Sequence, residues 1–189
     1  LDRKASPFKA CGAAVALLAT ALCRAGSPPA PHTVKPPTFV ATYSIAWHGI
    51  TAGHATLTLV QTGPDEYRYS SVDRADGLFR LFVGGRITQE SRFRLVNGQV
   101  QPLSFRSHGG GPPQNVRFDW TSGRVIGSAK HKHIDLKLEP ATQDPGSVQI
   151  ALMLAFLREH PPASFWMLNT DVINRFEFVH RGEATLKTP

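Results

Sequence analysis

The sequence predicts a mainly β domain: a curved antiparallel sheet or open β-barrel with one apolar helix packed on its concave face. Three observations lead there. From Phe39 onward, apolar and polar residues alternate with a period of two through most of the chain, the periodicity of strands with one buried face. Asn97-Gly98 separates two such runs, and both residues tolerate the positive φ that a tight hairpin turn requires. One late segment, Ser147–Glu159, lacks alternation and is apolar nearly all round. A helix of that kind is buried on more than one side, which a sheet achieves by wrapping around it.

The residues before Phe39 have a different character. Arg3, Lys4 and Lys9 form a basic head, an apolar run follows from Ala10 to Leu22, and Ala25-Gly26 supplies small residues. That is the layout of a secretory signal. The run is shorter than the roughly 20 apolar residues of a membrane span. Cleavage after Ala25 leaves a fuller apolar run in the signal than cleavage after Ala21. Lipidation at Cys23 is disfavoured, because Leu22 stands where a small residue belongs. Residues 26–38 are a Pro-rich linker. The expected organisation is therefore a signal peptide over 1–25, a linker over 26–38 and a single β-rich domain over 39–189, working in the periplasm. Cys11 and Cys23 both fall in the signal, so the mature chain has no disulfide and relies on its core.

The formal charge is +7. Removing Arg3, Lys4, Lys9, Arg24 and Asp2 leaves 17 basic and 13 acidic side chains, a net +4. The charge reads first as a solubilising surface. The sharper alternative is affinity for anionic partners such as lipid headgroups. No nucleic-acid motif is present.

Along the domain, Phe39, Ala41, Tyr43, Ile45 and Trp47 mark a first strand. A turn over His48–Gly53 leads to a second through Ala55, Leu57 and Leu59. Pro64-Asp65 turns the chain into a third at Tyr67 and Tyr69. Residues 86–96 place Ile87, Gln89, Ser91, Phe93 and Leu95 on one face and five polar residues on the other. After Asn97-Gly98 the chain returns through Val100, Leu103 and Phe105. A Gly-Pro loop over 109–113 precedes a strand with Val116, Phe118 and Trp120, and Ile134, Leu136 and Leu138 mark the next. Asp144 and Pro145 suit an N-cap and first helical position, and His160-Pro161-Pro162 stops the helix. Strands resume at 172–180 and 183–187.

Candidate chemistry is thin. His131 and His133 sit two apart, where a strand would put both imidazoles and Asp135 on one face. A structural or catalytic metal needs a third or fourth ligand, so no metal and no cofactor are expected. His48 and His54 read as polar residues near a hairpin tip. Asp119 lacks a second carboxylate at readable spacing. No G-x-S-x-G element and no phosphate-binding Gly loop occur. Leu78-Phe79-Arg80-Leu81-Phe82 is a core segment or a hydrophobic lip at a cavity mouth.

Several stretches resemble one family of exported proteins of Gram-negative bacteria, domain of unknown function 3108. They are FVATYSIAWHGITAGHATLTL, DGLFRLFVGGRITQESRFRLVNGQVQPLSF, VRFDW, ATQDPGSVQIALML and RFEFVHRGEATLKTP. The resemblance implies a periplasmic location and an open curved sheet with a helix against it. It implies no reaction. Family members continue through further strands, so it also implies that C-terminal strands are missing after Pro189.

Three functions are weighed. The first is a non-catalytic envelope protein binding or chaperoning an apolar or amphipathic ligand, a lipid or a lipoprotein. Its site would use Trp47, Phe79, Phe82, Met153 and Phe156, with Arg80 or Arg86 at the rim. The second is an assembly or protein-interaction factor with a filled barrel and an exposed apolar patch. The third is a hydrolase of envelope glycan or lipid, which needs convergent carboxylates or His in a cleft.

Overall fold

The structure, a computed structural model, describes residues 34–77, 80, 85–158, 164–179, 182 and 185. The expected signal, residues 26–33 of the linker, Leu78, Phe79, Phe82, the end of the expected helix at Glu159 and the strand expected over 183–187 lie outside the described residues or almost wholly so.

Eight strands follow one another in the chain: β1 (Phe39–Trp47), β2 (Ile50–Gln61), β3 (Glu66–Ala75), β4 (Arg86–Val96), β5 (Gln99–His108), β6 (Gln114–Asp119), β7 (Arg124–Ala129) and β8 (Lys132–Lys137). They pair antiparallel in sequence order into one sheet that does not close into a barrel. Helix α1 (Ser147–Leu157) comes next, and β9 (Ser164–Asn169) with β10 (Val172–Glu177) forms a separate two-stranded sheet.

The register puts one inward row across the whole large sheet: Phe39, Leu59, Tyr69, Ser91, Phe105, Val116, Gly127, Ile134. This row is nearly sealed from water, Leu59 and Ser91 being 0% exposed. Three hairpins turn on two residues of positive φ: His48-Gly49, Asn97-Gly98 and Lys130-His131. Such turns match the right-handed twist of the flanking strands.

Two bulges shift the pattern. In β2, Ala52 is an extra residue between Gly53, which faces Ile45, and Thr51, which faces Ala46. The chain turns only at His48-Gly49, so the turn expected over His48–Gly53 is shorter and β2 begins at Ile50. In β5, Leu103 is the extra residue. It moves the inward phase from Val100 and Pro102 to Phe105, which is why the apolar spacing there departs from two. The bulge also accommodates Pro102, which has no N–H to give a ladder.

The buried side chains form two clusters. The first joins Leu59, Tyr67, Tyr69, Phe93, Leu95 and Val100 to Ile150 and Leu154 of α1. The second joins Phe105, Val116, Phe118, Val125 and Ile134 to Leu168 of β9. The helix therefore packs on the sheet by one face. All-round burial does not occur: Phe156 is 50% and Leu157 56% exposed, because no described element lies over that side. Residues 34–38 are not a free linker. Pro36 is buried, Val34 packs on the first cluster, and Lys35 pairs with Asp65 at 2.9 Å.

The start of α1 is built by Asp144. Its Oδ1 accepts the Gly146 and Ser147 N–H groups at 2.8 and 2.9 Å, and its Oδ2 accepts the Ser91 hydroxyl at 2.7 Å. The Asp144 N–H donates back to Ser147 Oγ at 2.9 Å. This is the reciprocal capping arrangement, begun at the residue the sequence nominated although regular helix starts at Ser147. Gly146 lets the turn approach the sheet, since a Cβ there would meet Ser91 Cβ at 2.8 Å. Burial pushes the Asp144 carboxyl up to about 6, against the pull of its hydrogen bonds to Ser147, Ser91 and Gly146.

Candidate functional site: an apolar recess at one end of the sheet

The long strands β2 to β5 reach beyond the helix at the end away from Asn97-Gly98. There the inward residues are small. Gly53 faces Ala75 across β2 and β3, and Ile45 completes the row on β1. A Cβ on Gly53 would meet the Arg74 carbonyl oxygen at 2.3 Å, so only glycine fits at that position. The bulge carbonyl at Ala52 accepts the Asp76 N–H at 2.9 Å, and Ala75 N–H donates to Gly85 at 3.0 Å. These bonds draw β2, β3 and the entry to β4 together.

The result is a recess of about 190 Å³ walled by Ile45, Ala52, Gly53, Ala75, Gly85 and Ile87. Its walls are almost wholly apolar, and Ile45 and Tyr43 beside it remain 45% and 54% exposed. Asp73 and Arg74 border it. On the opposite face of the same strands lie Arg86, opposite Arg74, and His54, whose Nδ1 contacts Asp76 at 2.7 Å.

The expected ligand residues are divided between two ends of the sheet. Trp47 and Arg86 belong to the recess end, Trp47 closing the β1–β2 hairpin opposite Ile50. Arg80 is exposed, and its N–H reaches the Gly77 carbonyl at 3.4 Å. Phe79 and Phe82 lie outside the described residues. Met153 and Phe156 belong to α1, whose last turn meets the Asn97-Gly98 end: the Arg158 guanidinium donates to the Gly98 carbonyl at 2.7 Å. Met153 packs against the first core cluster and Phe156 faces outward. About ten residues of extended β4 separate the two ends, roughly 30 Å.

A second cavity of about 180 Å³ lies beside the later half of α1, among Val100, Gln143, Ala151, Leu154, Ala155 and Phe165. Gln143 donates through Nε2 to the Val100 and Ala141 carbonyls at 2.9 and 3.1 Å. Its Oε1 is buried without a hydrogen-bond partner among the described residues.

The remaining candidates resolve into structural roles. His131 is in the β7–β8 turn with φ 60°, not on a strand, so it does not share a face with His133. Asp135 is paired with Arg124 instead, and the hydrogen bond from that guanidinium holds its carboxyl below the usual range. Among the described residues no group of three or more His, Cys, Asp or Glu side chains is placed to hold a metal. Asp119 accepts the Thr121 and Ser122 N–H groups at 3.0 Å each, and those bonds, Ser122 first, lower its pKa. It shapes the β6–β7 turn.

The recess itself was missed by sequence reasoning. Its signal in the sequence is Gly53 inside a strand pattern, which marks a bulge or a close backbone approach.

An open meander with a helix on one face and an apolar recess beyond the helix defines a β-sheet protein with room for a small apolar group. The chain belongs to the family described as protein of unknown function, DUF3108, whose model matches residues 42–189. No curated protein and no solved structure matches it. No helix among the described residues is long and apolar enough to cross a membrane.

Proposed function

We propose that this protein is a non-catalytic periplasmic carrier or chaperone that binds the apolar part of an amphipathic envelope ligand, a lipid or a lipoprotein. The observation that carries the reading is the recess between Ile45 and Ile87. It is apolar, and it opens beside exposed Tyr43 and Ile45. A cavity of about 150 Å³ takes a benzene-sized guest, so this one takes the end of an acyl chain and not a whole lipid. Each buried methylene contributes about 0.8 kcal/mol. The basic–apolar–small pattern of residues 1–26 supports export.

The test is native mass spectrometry of untagged protein purified from a Gram-negative envelope. The expected result is a bound species of lipid mass, lost in Ala75→Leu, which fills the recess, with thermal stability kept. A ligand-free wild-type protein refutes the carrier reading.

A second reading, an assembly factor that binds another envelope protein, is favoured by the outward Leu157, an aliphatic side chain 56% exposed. It predicts that Leu157→Asp abolishes partner capture while Ala75→Leu leaves it unchanged.

A further inference from the structure

The outer face of the large sheet carries an unusual arrangement of charge. Arg74 stands directly opposite Arg86, and Arg68 directly opposite Arg92. The Arg68–Arg92 row continues through Ser104 to Arg117 on β6. One row away, Arg106 stands opposite Glu90. Arg92 also contacts Glu90 at 3.0 Å, whereas Arg68, Arg74 and Arg86 make no ion pair among the described residues. Like charges directly opposite on a sheet destabilise it. Two such pairs in adjacent strands are therefore a cost to folding, and a ligand of opposite sign removes that cost.

The residue type narrows the ligand. Every cation on the outward positions of β3 to β6 is Arg, while the described lysines, Lys35, Lys130, Lys132 and Lys137, lie elsewhere. The planar guanidinium fork matches phosphate oxygens two at a time, which an ammonium does not. The pattern also argues about shape. From Arg68 to Arg117 the row crosses three strand spacings, roughly 14 Å. Between the arginines stand Ser70, Val72, Thr88, Ser104 and Asn115, and Glu66 stands opposite Arg94 at the end of the face. The outward positions of β3 to β6 hold no Phe, Tyr or Trp. Single-stranded nucleic acid binds on aromatic stacking platforms, and protein interfaces centre on aromatic and apolar anchors. A broad arginine face without either suits a laterally uniform array of phosphates.

We infer that the outer face of β3 to β6 docks this protein on the surface of an anionic bilayer, through phosphate-bearing lipid headgroups. The inference stands apart from the recess, which opens on the other face. Attraction to such a surface is shared among several arginines, falls with salt and requires no insertion.

The experiment is co-sedimentation of the full chain with phosphatidylcholine vesicles, with and without phosphatidylglycerol, at low and raised salt. A cation near an anionic surface is worth about fivefold in partitioning. The double variant Arg68→Gln/Arg92→Gln is therefore expected to bind phosphatidylglycerol vesicles about 25-fold less tightly than wild type. Lys35→Gln/Lys130→Gln, which removes the same charge elsewhere, is expected to stay within a few fold. Thermal melting of both variants checks that they fold. Binding that ignores phosphatidylglycerol, or that both double variants weaken equally, overturns the assignment. Preference for duplex DNA over the vesicles, lost in the arginine variant, shows a soluble polyanion as the ligand and also overturns it.

Discussion

Asp144 is the residue whose replacement tests the most of this fold at once. It is 0% exposed and ties three elements together: the loop before α1, the first turn of α1 and Ser91 in the middle of β4. Asp144→Ala leaves the Gly146 and Ser147 N–H groups and the Ser91 hydroxyl without their acceptor. Each buried donor so orphaned costs about 1–3 kcal/mol, and losing an N-cap alone costs about 1. Their sum, discounted for relaxation, is about 3–5 kcal/mol, a large part of the roughly 5–15 kcal/mol of a typical domain. Asp144→Asn keeps an acceptor for both amides and is expected to lose about 1 kcal/mol.

The same carboxyl gives a pH signature. Its folded pKa of about 6 lies above the unfolded value near 3.8. Between the two, the folded state holds a proton the unfolded state has released. Stability from this group is therefore complete below about pH 4 and is lost as pH rises through about 6. The loss is on the order of 2–3 kcal/mol. Urea unfolding of wild type and Asp144→Asn across pH 4 to 7 measures it. The wild type is expected to weaken over that window relative to the Asn variant. Parallel pH profiles, or a loss below about 1 kcal/mol in Asp144→Ala, refute the reasoning.

Other outcomes follow from single contacts. Leu154 is 1% exposed, so Leu154→Asp is expected to prevent stable folding and Leu154→Ala to cost about 2–5 kcal/mol in chemical denaturation; wild-type-like melting of Leu154→Asp contradicts the packing of α1. Half-exposed Leu157 supplies the contrast, and Leu157→Asp is expected to shift stability by no more than about 1 kcal/mol. Gly146→Ala forces the helix start off Ser91, at about 1–3 kcal/mol by the same assay. With His131 in a turn, elemental analysis of untagged protein is expected to find no stoichiometric zinc; zinc lost in His133→Ala contradicts that placement.

Sequence patterning carried most of the sheet because it follows burial. The β4 boundaries, its inward Ile87 to Leu95 face and the Asn97-Gly98 turn were legible, since one strand face meets the core and the turn needs residues of positive φ. The helix was legible for the same reason, down to Asp144. Its one-sided packing was not, because apolarity reports what a surface tolerates and not what lies over it. Strand β7 escaped notice: Gly127 interrupts its apolar pattern, and its closing turn uses Lys130-His131, two residues that rarely adopt positive φ. Strand β9 was obscured by the neighbouring proline stop and by its dependence on backbone bonds from Gln143 to Trp166 and Leu168. The recess was illegible because it arises from cross-strand register, Gly53 against Ala75, which no single stretch encodes. Membership of the family was legible from the combined stretches and extends from residue 42 to 189.

The claim at the centre of this account is that the recess between β1 and the start of β4 binds an apolar chain end. A titration of the purified protein with a fluorescent fatty acid, repeated on Ala75→Leu, tests it most directly. The account predicts saturable one-to-one binding by the wild type, with emission shifted to that of an apolar environment, and loss of that binding in the variant while its melting temperature stays near wild type. Absence of saturable binding, or equal binding by a folded Ala75→Leu protein, contradicts it.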